Sequence, residues 1–435
     1  MKFEVDRLMM LEAAKSAGKI TTARTFSDIL SGILVECNSE TGEVHLTATN
    51  YEAGIQLKLF ASVHESGVML VDSQILSGMM SLMDGEFVTL SAENTGVLRV
   101  TNGRCIFDIN CLPSEGYPRP IMPFPEENVI MTGICSLAKR TTFAVGSNNN
   151  NNNNQSLQCV NVKLGNNAVR ATACDGFKMI MIKNKAEPSN QREFLLPARS
   201  LSILASVSSD SDVFEVGDID NHIVFMRGDM MFTINKLVMN TGKYPDILDM
   251  IKKIKPVYTA IANAHEMREA LDIVAIGAMS KHGNGLVNVL LSGGQIMLSS
   301  VGDAYTGKST LAAVISKDTP DSGFFYQVSP LLKFLRAVQG RVRIEMDAKG
   351  IMLIKSHNEV YVQLSIRHTA SETTKTTKTT KTTKTTSAKG AKDMKESQEP
   401  SEPHQEEYTA PLCQDKFFDF LNGLQPCLSV RCSQG

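Results

Sequence analysis

The chain has 435 residues, 42% of them hydrophobic, and its 44 basic and 46 acidic residues leave a formal net charge of −2. That length suits about three average domains with sizeable cores, and the balance excludes a polycation that grips nucleic acid by bulk charge. No window approaches the ~20 apolar residues that cross a bilayer, and nine cysteines scattered through apolar runs form no disulfide framework, so a reducing, cytoplasmic setting is expected.

In chain order, the opening "MKFEVDRLMMLEAAK" alternates like a strand and then turns charged, which is no signal-peptide pattern. From there the chain repeats itself. Each copy begins with a helical stretch: "DRLMMLEAAKSAGK", "MTGICSLAKRTTFAV" and "NAHEMREALDIVAIGAM". Apolar positions recur at three- and four-residue spacing, as in Met267, Leu271, Val274 and Ala278. A strand and turn follow in "VHLTATNYEAGIQLKL", "NAVRATACDGFKMIMIK" and "QIMLSSVGDAYTGKSTLAAV". Second helices are expected in "VDSQILSGMMSLM", "PARSLSILASV" and "SPLLKFLRAVQ", and each copy closes with a hairpin. The first two copies end alike, in "EGYP" and "GKYP".

Three copies of roughly 110 to 130 residues, each with two helices and antiparallel sheets, make an α+β fold. The expected domains are 1–124, 125–256 and 257–369. The seven asparagines Asn148–Asn154 read as a polar loop expansion. After them the composition holds until residue 369, then changes to a Thr/Lys-rich and next a Glu/Pro-rich linker over 370–411, which cannot bury a core. A short amphipathic tail, 412–435, ends the sequence.

Gly302, Gly307, Lys308 and Ser309 spell G-x-x-x-x-G-K-S, the phosphate-binding loop of nucleotide hydrolases. Such a loop needs a buried strand before it and a helix after it, whose amides hold the phosphates. Here the letters occupy the strand–turn–strand slot that "TATNYEAG" and "TACDGFKM" fill in the other copies. Lys308 is therefore expected to be a solvated lysine, with a nucleotide hydrolase built on Gly302–Ser309 as the alternative reading. The histidines show no zinc-site spacing, and no G-x-S-x-G elbow appears. No catalytic residue, metal or cofactor is expected; the pattern is that of a binding protein.

At this point the residues carry a family likeness. From Met1 to about His368 the chain resembles the bacterial sliding clamp, the beta subunit of DNA polymerase III. The matching pieces are "MKFEVDR", "LTATNYEAGI", "CLPSEGYP", "ATACDGFKM", "LLPARSL", "INKLVMNTGKYPDI" and "YVQLSIR". The resemblance implies a DNA clamp fold in which two subunits close head to tail into a six-domain ring around duplex DNA. A ring holds DNA topologically, so weak sequence-independent phosphate contacts suffice. Implied DNA contacts are Arg24, Lys15, Lys19, Lys139, Arg140, Arg199, Lys333 and Arg336. Asp72 and Ser73 stand where the family usually carries basic residues.

The resemblance also implies an apolar groove that takes short peptides from DNA polymerase, the clamp loader and repair proteins. By position it comprises Leu157, Gly176, Phe177, Lys178, Met179, Pro245, Met250, Leu364, Ile366 and Arg367. Phe177, Lys178 and Asp249 depart from the family's commoner residues. For homodimer closure, Phe107 and Ile109 of one subunit would meet Ile276 and Met279 of the next. A clamp relative that lost ring closure and serves as a scaffold remains a third reading. In the tail, Gln414 stands three residues before Phe417, as in the Gln-x-x-Leu-Phe peptides of this groove. A linker of about 45 residues reaches ~35–40 Å, so the tail either competes for the groove or makes an unrelated contact.

Overall fold

The computed structural model describes residues 1–21, 28–92, 96–120, 123–146, 155–165, 167–185, 191–236, 244–279, 285–301 and 306–366. Met1–Ser365 form one unit; of a second, Ile366–Gly435, only Ile366 is described. Arg24, the Asn148–Asn154 run, Gly302, Arg367 and the whole tail with Gln414–Phe418 lie outside the described residues.

Seven α-helices occur among the described residues: α1 Arg7–Gly18, α2 Ser73–Leu82, α3 Ile134–Thr141, α4 Ala198–Ser206, α5 Ile247–Lys253, α6 Ala264–Ala278 and α7 Val328–Ala337. Six of them are the repeated helical stretches, packed in pairs: α1 on α2, α3 on α4, α6 on α7. Their starts are chemically marked. Asp6 Oδ1 accepts from Met9 N at 2.8 Å, and Asn263 Oδ1 from His265 N at 2.9 Å, so side chains satisfy amides that lack helical partners. Asp72 does the same for α2, accepting from Gln74 and Ile75 N at 2.9 Å. The acidic departure noted in the sequence is thus a helix cap.

Helix α5 was not expected. It is seven residues long, too short to show a helical period, and follows Asp246, whose Oδ1 accepts from Asp249 N at 3.1 Å.

Four antiparallel sheets carry the rest. Strand burial alternates where one face is wet, as in Lys2–Asp6, and the buried faces meet the helix pairs in a core that includes Phe3, Phe194, Phe225, Phe334 and Tyr361. Phe334 of α7 stacks on Tyr361 with ring centroids 4.8 Å apart.

Two sheets run across repeat boundaries. In the eight-stranded sheet, Ala53–Phe60 of the first repeat pairs with Met230–Asn235 of the second. In the nine-stranded sheet, Lys178–Lys185 of the second repeat pairs with Glu359–Gln363 of the third. The repeats are therefore stitched by main-chain hydrogen bonds, and the same two strands of the repeat make each seam. The five-stranded sheet ends in Ile106–Asn110, and the four-stranded sheet ends in Thr306–Ala312.

Lys308 lies exposed on Thr306–Ala312, with Ser299 opposite it across the pair. That strand is followed by another short strand, Val314–Ile315, and no helix follows the G-K-S letters. Gly307, Lys308 and Ser309 thus sit in a strand and not at a helix N-terminus that could hold phosphates, and the hydrolase reading falls.

Candidate functional site

The implied groove residues gather around the second seam. Cys174 ends its strand at a turn set by Asp175, whose Oδ1 accepts from Phe177 N at 2.9 Å and from Lys178 N at 2.8 Å. Gly176 takes φ +94° there, a left-handed backbone that glycine adopts without penalty. Lys178 Nζ pairs with Asp175 Oδ2, which fixes the lysine beside the turn. Phe177 O accepts from Leu364 N at 2.9 Å, so the turn is clamped to the strand end that follows Glu359–Gln363.

The returning chain brings the other members. Tyr244 OH donates to Thr172 O at 3.1 Å, anchoring the segment that leads through Pro245 into α5, and α5 packs on strand Lys178–Lys185. Burial pushes the Tyr244 hydroxyl well above its ordinary pKa and the neighbouring Cys174 thiol up to about 12, so both stay neutral. Leu157 sits on the short turn that enters strand Cys159–Gly165.

The implied groove members split by exposure. Leu157, Met179 and Met250 are only 5%, 3% and 5% exposed, whereas Phe177, Lys178, Pro245 and Leu364 are half-buried. The first group is packed away; the second stays accessible. Ile366, half-buried, belongs to the second unit, and Arg367 lies outside the described residues.

The implied DNA contacts stand on the paired helices. Lys15 on α1, Lys139 on α3, Arg199 on α4, and Lys333 and Arg336 on α7 are all exposed. Lys19, at the end of α1, donates to Ser206 O at the end of α4. Arg336 approaches Asp272 of α6 at 3.5 Å. Arg140 departs from the set: it turns onto Glu359, whose side chain is 4% exposed, and burial lowers the Arg140 pKa. It joins α3 to the second seam instead of facing a phosphate. The sequence hides this, because Glu359 lies in another repeat.

The implied interface residues also divide. Phe107 is 40% exposed on edge strand Ile106–Asn110, and Ile276 and Met279 are 74% and 56% exposed at the end of α6. Ile109 is 5% exposed and belongs to this chain's own core, so it is not a docking residue. Ile106, missed in the sequence, is 69% exposed on the same strand. A strict alternation assigns only one of the neighbours Ile106 and Phe107 to the surface; the whole strand end is open instead.

Two family models match consecutive parts of the chain: the DNA polymerase III beta subunit N-terminal domain over residues 1–122, and its central domain over residues 131–246. The chain belongs to the DNA polymerase III beta subunit family. Relatives named beta sliding clamp include that of Micrococcus luteus, 26% identical over 318 residues that span 72% of this chain and 97% of the relative. The beta sliding clamp of Bacillus subtilis strain 168 is 21% identical over 384 residues, 84% of this chain and 98% of the relative. Among solved structures, the DNA polymerase sliding clamp of Bacillus subtilis superposes with a TM-score of 0.75 at 19% identity, covering 85% of this chain and all of that one. A DNA polymerase III beta subunit from Thermotoga maritima gives 0.74 at 18% identity, with the same coverage. These likenesses show the fold. As a beta subunit, the chain functions as a DNA sliding clamp, without catalytic activity of its own.

Proposed function

We propose that two copies of this chain close head to tail around duplex DNA and tether polymerase and clamp loader through the groove at the second seam. One observation carries the ring. At each internal seam, a given strand of one repeat (Ala53–Phe60 or Lys178–Lys185) pairs with the last strand of the next (Met230–Asn235 or Glu359–Gln363). The third repeat's counterpart of the first strand is Thr306–Ala312, and the first repeat's last strand is Ile106–Asn110; each ends its sheet. An open strand edge is a liability that pairing with another copy removes. Joining these two edges between copies repeats the internal seam twice and leaves neither edge open, which is the closure that a head-to-tail dimer needs.

Exposed Phe107 and Ile106 then meet the Ile276 and Met279 end of α6, which packs on Thr306–Ala312. The G-K-S letters thus lie on the ring-closing strand. The helix cations Lys15, Lys19, Lys139, Arg199, Lys333 and Arg336, with Arg24, supply non-specific phosphate contacts. The half-buried rim of Phe177, Pro245 and Leu364 receives an extended peptide with apolar anchors. No helix among the described residues is long and apolar enough to cross a membrane; the setting we assign is the cytoplasm. Sedimentation tests the closure: the 47.5 kDa chain should run as a dimer, and Phe107→Asp as a monomer. A wild-type monomer at micromolar concentration would sink the ring.

A further inference from the structure

The central repeat carries a cationic row that the other two repeats lack. Lys163, Arg170 and Lys183 stand directly opposite one another on three neighbouring strands: Lys163 faces Arg170, and Arg170 faces Lys183. Lys185 follows two residues on, on the same face, and is exposed. Like charges directly opposite destabilise a sheet. Among the described residues, Glu193 pairs with Lys163 at 3.2 Å, while Arg170, Lys183 and Lys185 have no carboxylate partner.

The repeats provide their own control. In the first repeat the same three positions hold Glu36, His45 and Lys58, and the charges are compensated. Arg119 pairs with Glu36 at 2.9 Å, and Lys58 with Glu43 and Asp229 at 3.6 and 3.3 Å. In the third repeat the positions hold Leu290, Met297 and Thr310, without charge. The fold is therefore indifferent to what stands there, and stacked cations are not part of building the sheet.

Lys163, Arg170 and Lys183 line a cavity of about 540 Å³ with Gln191, Arg192 and one carboxylate, Glu193, which is already engaged by Lys163. It lies on the face away from the helices: Val162, Ala171 and Ile182, adjacent on the same strands, point into the core under α3 and α4. Duplex DNA held against the helices cannot reach it. The lining has no aromatic side chain on which bases would stack. An extended acidic peptide fits better, because it presents same-side carboxylates about every 6.8 Å and the row is about 10 Å long. We propose that this outer face of the central repeat docks an extended acidic segment of a partner protein, a second attachment point that is separate from the apolar groove.

The test uses the full chain and a fluorescein-labelled peptide of alternating glutamate and serine, read by anisotropy at low salt. The expected result is saturable binding that weakens as salt rises and falls at least tenfold in the double variant Arg170→Gln/Lys183→Gln. Arg170→Lys/Lys183→Arg should retain it, and a lysine–serine peptide should not bind. The neutral variant should melt no lower than the wild type, since repulsion is relieved. Equal peptide binding by wild type and neutral variant would overturn the proposal. So would a lowered melting temperature, which would make the row structural. Tighter, row-dependent binding of oligothymidine than of the peptide would assign the face to single-stranded nucleic acid and equally overturn it.

Discussion

At the first seam, Asn235 N donates to Glu52 O at 2.9 Å; at the second, Leu364 N donates to Phe177 O at the same distance. Asn50 Oδ1 braces the first turn through Glu52 and Ala53 N, as Asp175 Oδ1 braces the second. Tyr117 OH reaches Thr47 O at 3.4 Å, and Tyr244 OH reaches Thr172 O at 3.1 Å. The two seams are one piece of machinery used twice, yet they finish differently. At the first, bare Gly54 lies against Pro120, so that a Cβ on Gly54 would stand 2.3 Å from the Pro120 ring. At the second, the matching residue is Met179, and the chain after Tyr244 folds into α5 with Met250 beneath. The turn also differs: Tyr51 is forced to φ +68°, where Gly176 sits at +94° without strain. A seam plugged by the linker is structural. At the other, Phe177, Pro245 and Leu364 stay half-buried and accessible, the surface proposed above for a peptide.

The contrast can be broken by mutation. The largest effect is expected at the Arg140–Glu359 pair, which among the described residues has no equivalent at the first seam. Arg140→Met leaves a buried carboxylate unpaired and should cost about 3–5 kcal/mol in urea unfolding. A polar contact across the first seam, the Ser200 hydroxyl on Glu52, should cost about 1–3 kcal/mol when removed by Ser200→Ala. Equal losses would dissolve the asymmetry.

Next in size are the two finishing residues. Met179→Ala should lower stability by about 2–5 kcal/mol through a cavity. Gly54→Met should cost about 1–3 kcal/mol by overpacking against Pro120, both measured by calorimetry. A neutral Gly54→Met would show that Pro120 is no plug.

Function should separate the seams more cleanly than stability. Phe177→Asp is expected to weaken binding of a Gln-x-x-Leu-Phe peptide at least tenfold, about 1.4 kcal/mol or more. Tyr51→Asp at the first seam should leave the affinity unchanged. Anisotropy with the labelled peptide reads both.

The smallest effect belongs to the shared tyrosines. Tyr117→Phe and Tyr244→Phe should each cost about 0.5–1.5 kcal/mol. Burial raises the Tyr117 pKa to about 12, so its neutral form is favoured by folding. That stability is complete below the unfolded tyrosine value near 10 and is lost as pH rises through about 12. Tyr117→Phe should therefore flatten alkaline unfolding between pH 10 and 12, measured by circular dichroism.

These pairs explain what could be read from the sequence. Repetition made the six paired helices and the two turns visible, and the "EGYP" and "GKYP" endings mark the tyrosine anchors. The register of the repeat also overruled the G-K-S spelling. What escaped depends on distant partners or on short elements. Arg140 looks like any helix cation until Glu359 arrives from the third repeat. Ile109 reads as an exposed edge residue, but its side chain completes the core. Helix α5 is too short for a period, and the plug of Pro120 on Gly54 is a contact between residues that no motif joins.

The most direct test of the account is retention on DNA of different topology. Loaded onto nicked circular DNA by a clamp loader, the protein should remain bound through gel filtration as a dimer, and should be released once the circle is cut. Equal retention on linear DNA, or retention as a monomer, would contradict an encircling ring.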